Sequence, residues 1–356
     1  MRNIMRPETQ RHRIAKWAIL ALSLAGLTNL AAGCTPSGSA HNASGKPVLR
    51  LAYFPNVTHA PALAGVARGD FQQALGDKAA LETRVVNAGP EAMEALLANA
   101  IDVSYVGPSP AINTYLKSQG RVLRLLAGAC SGGASLVASA DTPIHSIKDL
   151  DGKSVAVPQF GGTQDVSCRH FLAASGLRPK DKGGSVDLQE IKNPDILALF
   201  KQKQLDAAWV PEPWAARLIA DAGARRVVDE RDLWPGKAFT TTVIVVRKSF
   251  LDEHPDLVEA FLKAHLQETA WLQKHPEEGQ TVVNAELKRL TGKALKPEVL
   301  KDAWSRVQFT DDPNRPSVEA FLQAAEEAGY LRDKGTSIAG LFDFSLLDKA
   351  RLASAK

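Results

Sequence analysis

The sequence has 356 residues, 45% of them apolar and 23% charged, which is too long for one small core and too apolar for a disordered chain. Its formal charge of +4 invites a polyanionic partner, but that charge is confined to the segment ahead of Cys34. Arg2, Arg6, Arg11, Arg13 and Lys16 stand there against Glu8, while acids and bases balance from Cys34 onward. No basic run elsewhere makes a nucleic-acid groove, so no nucleic-acid partner is expected.

The basic stretch ending at Lys16 is followed by the uncharged segment Trp17 to Gly33, which closes in small residues. That is the pattern of an export signal, and it is short for a membrane span. Leu30-Ala31-Ala32-Gly33-Cys34 resembles the bacterial lipoprotein cleavage box, with Ala31 where such boxes more often carry Leu. Residues 1–33 therefore read as a lipoprotein signal peptide, Cys34 as the lipidation site, and residues 34–46 as a flexible tether rich in Ser, Gly and Ala. The expected place is the periplasmic face of a membrane, reached through a lipid anchor. Cys130 and Cys168 have no spacing that dictates a pair, and the eight histidines are scattered. Both cysteines read as buried small residues, although export would permit a disulfide. Neither metal nor cofactor is expected.

From Val48 the pattern is strand then helix, repeated. Strands are expected over 48–53, 82–87, 101–106 and 122–127, with helices over 61–71, 91–98 and 109–118 between or after them. After a short turn at 147–150 the order begins again. Strands fall at 154–157, 185–190, 207–210 and 226–228, helices at 164–174, 194–201 and 213–222. A strand over 239–246 is followed by helices at 255–274, 297–305 and 317–328. Such alternation predicts an α/β fold of mostly parallel sheets flanked by helices, in two lobes with a helical C-terminal part.

In open α/β sheets ligands bind beyond the carboxyl ends of the strands, where helices begin. The loop after the first strand holds Asn56 and His59; the loop after the third is Gly107-Pro108-Ser109. In the second half, Gly162-Thr163-Gln164-Asp165 opens a helix in the same way. Three helix N-termini aimed at one spot would bind an anion without Arg or Lys. Gly, Ser and Pro are also ordinary turn residues, so the repetition in both halves carries the reading. In Trp209-Val210-Pro211-Glu212-Pro213-Trp214, Trp214 would supply a flat wall for a ligand tail, unless both tryptophans are core and Glu212 caps the next helix. Thr241 could add a hydroxyl. No nucleophile elbow, phosphate-cradling loop, zinc helix or dinucleotide fingerprint appears, and no catalytic residue is assigned.

An ordered set of segments carries a resemblance. It runs through Asn87-Ala88-Gly89-Pro90, Ile101-Asp102-Val103-Ser104-Tyr105-Val106-Gly107, Ile147-Lys148-Asp149-Leu150-Asp151-Gly152-Lys153, Gly162-Thr163-Gln164-Asp165, Gln204-Leu205-Asp206-Ala207-Ala208 and Glu212-Pro213-Trp214. From about Leu49 to Leu331 the chain resembles the solute-binding lipoproteins of bacterial ABC importers in the nitrate, sulfonate, taurine and bicarbonate group. The resemblance implies a two-lobed periplasmic binding protein fold of type 2, with a discontinuous first lobe (47–138 plus 240–356) and a second lobe (139–239). It implies a monomer that binds a small anion between its lobes and delivers it to an inner-membrane permease. The oxyanion head would be held by the loops at Gly107-Pro108-Ser109 and Gly162-Thr163-Gln164. An aliphatic sulfonate or taurine is the favoured solute, because Trp214 offers a wall for an organic tail and three helix ends suit an oxyanion. Asp165 and Glu212 would disfavour bare nitrate or bicarbonate if both face the cleft, and not if they cap helices or meet Arg169 or Arg217. A thiamine-type pyrimidine is the other alternative within the class; an exported small-anion enzyme and a sensor partner are alternatives outside it.

Overall fold

The computed structural model describes residues 45–331 and 336–354; the expected signal peptide, Cys34 and most of the expected tether lie outside them. In chain order, β1 (Val48–Tyr53), α1 (Ala60–Ala67), α2 (Asp70–Leu75), β2 (Ala80–Val85), α3 (Gly89–Leu97), β3 (Val103–Val106), α4 (Pro108–Lys117) and β4 (Leu123–Gly132) form the first half. Then come β5 (Ala134–Ala138), β6 (Ser154–Val157), α5 (Thr163–Ala174), β7 (Asp187–Glu190), α6 (Asn193–Lys201), β8 (Ala207–Pro211), α7 (Trp214–Ala222) and β9 (Arg225–Asp229). The chain closes with β10 (Thr240–Arg247), α8 (Lys248–Glu253), α9 (Pro255–Lys274), α10 (Pro276–Thr291), α11 (Pro297–Ser305), β11 (Val307–Phe309), α12 (Arg315–Glu327) and α13 (Ser345–Ser354). The single helix expected over 61–71 is two, because Gly69 at φ 78° turns the chain into the left-handed region between them.

One sheet has the order β11-β4-β10-β3-β1-β2 and the other β7-β6-β8-β5-β9. The plan is the same in both. A parallel trio (β2-β1-β3, then β7-β6-β8) is followed by one antiparallel strand and then the last strand of that half. The antiparallel member is exchanged between the halves in each case. β5 follows β4 directly yet joins the second sheet, and β10 follows β9 yet joins the first, between β3 and β4. The first crossing is made at Gly132 and Gly133, with φ of 75° and 80°, a pair of conformations that side-chain-bearing residues avoid. It falls before β5, earlier than the lobe boundary placed after residue 138.

Strand composition follows this topology. β10 reads TTTVIVVR and is buried along its whole length, as befits a strand with neighbours on both edges and helices on both faces. The edge strand β2 reads ALETRV and is mostly exposed. One apolar core packs α1, α2, α9 and α10 on the outer face of the first sheet, and another packs α6 and α7 on the second. A third contains residues of both sheets together with Phe321 of α12. There Trp234 packs on Phe321 at 4.8 Å and on Phe239 at 6.2 Å, beside the second crossing. Among the described residues, no helix is long and apolar enough to cross a membrane, and Cys130 and Cys168 are both free and buried.

Candidate functional site

The carboxyl ends of the two parallel trios face one another. Between them lies an inner pocket of about 30 Å³ that opens into a chamber of about 390 Å³; Asn56, Asn87, Ala88, Pro158, Gln159 and Asn193 line both. Every strand-to-helix turn of the trios contributes. Ala88 and Gly89 begin α3, Gly107 and Pro110 belong to the start of α4, Gly162, Thr163 and Gln164 begin α5, and Asn193 begins α6. The N-cap residues of these four helices (Ala88, Gly107, Gly162 and Lys192) give no side-chain cap. Pro90, Pro108, Pro110 and Pro194 carry no N–H, and the Glu91 and Asp195 N–H groups are already bonded. The first-turn N–H groups left to these starts are those of Gly89, Ser109, Thr163, Gln164 and Asn193, each at the positive end of a helix dipole.

Side chains add to this. Thr163 Oγ1, Asn193 Oδ1 and Thr242 Oγ1 line the inner pocket, are buried, and have no hydrogen-bond partner. Ser109 Oγ, in the first turn of α4, is equally buried and unpartnered. Orphaned buried polar atoms are costly, and several around one pocket imply a polar guest. His59 stacks on Phe54 at 4.2 Å and accepts from the Phe54 N–H through Nδ1 at 3.3 Å. Burial lowers its pKa to about 3. The ring is therefore neutral with its proton on Nε2, a donor at the pocket wall. The inner pocket carries no charged side chain; it offers neutral donors, with the Asn193 carbonyl oxygen as an acceptor among them.

The two sides touch across the cleft. A Cβ built on Gly107 would overlap Thr163 Oγ1 and stand 3.1 Å from Thr163 Cβ, so only glycine allows α4 and α5 to come this close. Trp214 Nε1 donates to Asn56 Oδ1 at 2.9 Å, and the Glu91 N–H approaches Gln159 Oε1 at 3.4 Å. The larger chamber is rimmed by Glu91, Glu190 and Asp195 against the single base Lys192, and its one aromatic wall is Trp214.

Of the residues singled out from sequence, Asn56, His59, Gly107, Gly162, Thr163, Gln164, Trp214 and Thr241 line the cleft. Pro108 and Ser109 are buried in the first turn of α4, outside its wall. Asp165 and Glu212 do not face it, contrary to expectation. Asp165 Oδ1 accepts from Arg169 Nε at 2.8 Å, and its Oδ2 accepts from the Gly161 N–H at 2.8 Å and from the Tyr330 hydroxyl. Glu212 accepts from Arg226 at 3.0 Å and from the Ala216 N–H at 3.1 Å, which caps α7. Burial raises the pKa of Glu212 to about 7, against the pull of Arg226. Thr241 spends its hydroxyl on the Gly132 carbonyl at the crossing, so Thr242 is the neighbour with a free one. Asn87, Gln159, Asn193 and Thr242 were missed. Asn193 opens a helix after β7, and taking every strand-to-helix turn in order would have found it.

Residues 42–285 match the model of the NMT1-like family. The chain belongs to that family. Among its relatives, the taurine-binding periplasmic protein of Escherichia coli (strain K12) is 29% identical over 201 residues, 56% of this chain and 60% of that protein. The match to this relative thus spans less than two thirds of its length. The putative aliphatic sulfonates-binding protein of Bacillus subtilis (strain 168) is 26% identical over 334 residues, 90% of this chain and 93% of that one. Among solved structures, the alkanesulfonate-binding protein SsuA from Xanthomonas axonopodis pv. citri bound to MOPS superposes with a TM-score of 0.66 at 19% identity, covering 83% of this chain and 96% of that one. The shared architecture is the periplasmic binding protein fold, two mixed sheets flanked by helices with the cleft between them.

Proposed function

We propose that this NMT1-like protein is the extracytoplasmic solute-binding component of an ABC importer, capturing a small organic solute by its oxyanion head and handing it to the permease. The observation that carries the reading is the convergence of four uncapped helix N-termini and unpartnered hydroxyls on a pocket free of charged side chains. Such an array binds a small anion by directed hydrogen bonds. A sulfonate is favoured over nitrate or bicarbonate because the larger chamber leaves room for an organic tail, with Trp214 as its wall. Glu91, Glu190 and Asp195 at the rim suit a tail ending in an ammonium, as in taurine. The relatives named for taurine and for aliphatic sulfonates point the same way. A pyrimidine is less well served, since it would stack on only one aromatic wall. No reaction is assigned to the cleft: Asp165 and Glu212 are held in ion pairs, and the carboxylates of Glu91, Glu190 and Asp195 line the outer chamber and not the inner pocket.

On this reading the first sheet with its helices (residues 47–133 plus 240–356) and the second with its own (residues 134–239) act as two lobes. A ligand touching both favours closure by its differential affinity. The protein works as a monomer, held at the periplasmic face by a diacylglycerol on Cys34. The test is a thermal-shift panel on the mature domain with taurine, alkanesulfonates, sulfate, nitrate, bicarbonate, phosphonates and a thiamine pyrimidine. A saturable rise confined to sulfonates supports the reading; a rise confined to nitrate, bicarbonate or the pyrimidine, or none at all, refutes it.

A further inference from the structure

Trp214 and Asn56 form a bond with a consequence for what the cleft can read. Trp214 is the first residue of α7, in the half built on the second sheet, and Asn56 lies in the turn after β1, in the first. Trp214 Nε1 donates to Asn56 Oδ1 at 2.9 Å, with the two residues only 7% and 3% exposed. An indole N–H can donate but never accept. The Asn56 carbonyl oxygen must therefore turn toward α7, which leaves its NH₂ group for the cleft. Asn56 lines both the inner pocket and the chamber, and among the described residues its Nδ2 has no partner. The indole is itself braced, with the Arg217 guanidinium 4.4 Å from its ring centre.

We propose that Trp214 is a positioning residue that locks the Asn56 amide as a donor, so that the closed cleft accepts a ligand atom bearing lone pairs and rejects one bearing a hydrogen. The bond joins the two halves and exists only when they are together. In an open cleft the amide is free to rotate by half a turn and offer either end. Closure thus both traps the solute and fixes what the pocket demands of it. The proposal rests on the oxyanion reading and adds to it a residue that enforces the choice.

The test compares taurine with its sulfonamide counterpart, 2-aminoethanesulfonamide, in which one acceptor oxygen becomes an NH₂ donor and the head loses its charge, so the wild type sets the baseline preference and its change between variants is what is read. Titration calorimetry is run on the wild type, on Trp214→Phe, which keeps a smaller aromatic ring on the wall and removes the N–H, and on Asn56→Asp, which keeps the shape, replaces the donor by an acceptor and adds a negative charge. Trp214→Phe is expected to weaken taurine by about tenfold, the loss of one oriented hydrogen bond, while the sulfonamide is weakened less, so that the preference for taurine shrinks. Asn56→Asp is expected to lower taurine affinity at least a hundredfold with the Trp214 bond intact. Equal losses for both ligands in Trp214→Phe would make Trp214 a wall and nothing more, and would overturn the proposal. So would wild-type affinity in Asn56→Asp, a variant that also decides the matter if Trp214→Phe fails to fold. A wild type that binds no sulfonate defeats the functional reading and this inference with it. A wild type that binds taurine while Trp214→Phe keeps its full preference defeats this inference alone.

Discussion

Replacing Gly107 by Ala separates stability from binding. Gly107 sits at φ −71° and ψ 156°, which alanine adopts without strain. Losing glycine at an N-cap is unfavourable, and losing its freedom in the unfolded chain is favourable. The ligand-free protein should stay within about 1 kcal/mol of wild type. The closed cleft is another matter. The new Cβ would overlap Thr163 Oγ1, and after that hydroxyl rotates away it would still stand 3.1 Å from Thr163 Cβ and 3.5 Å from the Thr241 carbonyl oxygen. Closure then requires the two helices to part slightly, and the Thr163 hydroxyl to leave the pocket. Losing one hydrogen bond to a charged head costs about 1.5–3 kcal/mol, or roughly 10- to 150-fold in Kd. The assay is titration of wild type and Gly107→Ala with the sulfonate that most raises the wild-type Tm, alongside thermal unfolding without ligand. An unchanged Kd with unchanged ligand-free Tm would refute the closed-cleft geometry as the binding geometry.

Removing the two orphan hydroxyls together, Ser109→Ala with Thr163→Ala, should weaken the same ligand by roughly 1–3 kcal/mol and leave circular dichroism unchanged; wild-type affinity would take these hydroxyls out of the site. Cys34→Ser should move the protein from the membrane fraction to the soluble fraction on cell fractionation, and persistence in the membrane would refute the lipoprotein reading. Glu230 is buried, accepts from Ser167 at 2.6 Å, Trp209 at 2.6 Å and Trp234 at 3.1 Å, and is raised by burial to a pKa of about 7. Its protonated form favours the fold, so this contribution is full below the ordinary carboxyl pKa and is lost as pH rises through about 7; Glu230→Gln should flatten the fall of unfolding free energy between pH 4.5 and about 7 by up to about 1.4 kcal/mol per pH unit, and an unchanged slope would refute it.

Most of the layered fold was legible because its signals are local. A strand such as β1 or β8 and the helix that follows it declare themselves within twenty residues, and the second half repeats the order of the first. The elements that escaped are those without a strong local pattern. α10 reads PEEGQTVVNAELKRLT, with few apolar positions, and is held by packing against α1, α9 and α11. β5 is five small or apolar residues after two glycines, and it is a strand because β8 and β9 lie on either side of it.

The site divides along the same line. Backbone features, the helix starts at Gly107 and Gly162, follow from strand-then-helix order and could be read directly. Side-chain direction could not, since it depends on partners far away in the chain. Asp165 turns from the cleft because Tyr330 reaches it from beyond α12, and Glu212 because Arg226 on β9 meets it together with Asp302 of α11. The choice between Thr241 and Thr242 is subtler. In a regular strand, neighbours point to opposite faces, but the pairing of β10 with β4 shifts register between Thr240 and Thr242 and again between Thr242 and Val243. Such irregularities re-aim side chains, and here they send one threonine hydroxyl to the Gly132 carbonyl and leave the other for the pocket. The crossing strand is thus also part of the pocket wall, so the same irregular stretch that lets the chain return to the first sheet also decides which threonine hydroxyl faces the pocket unpartnered.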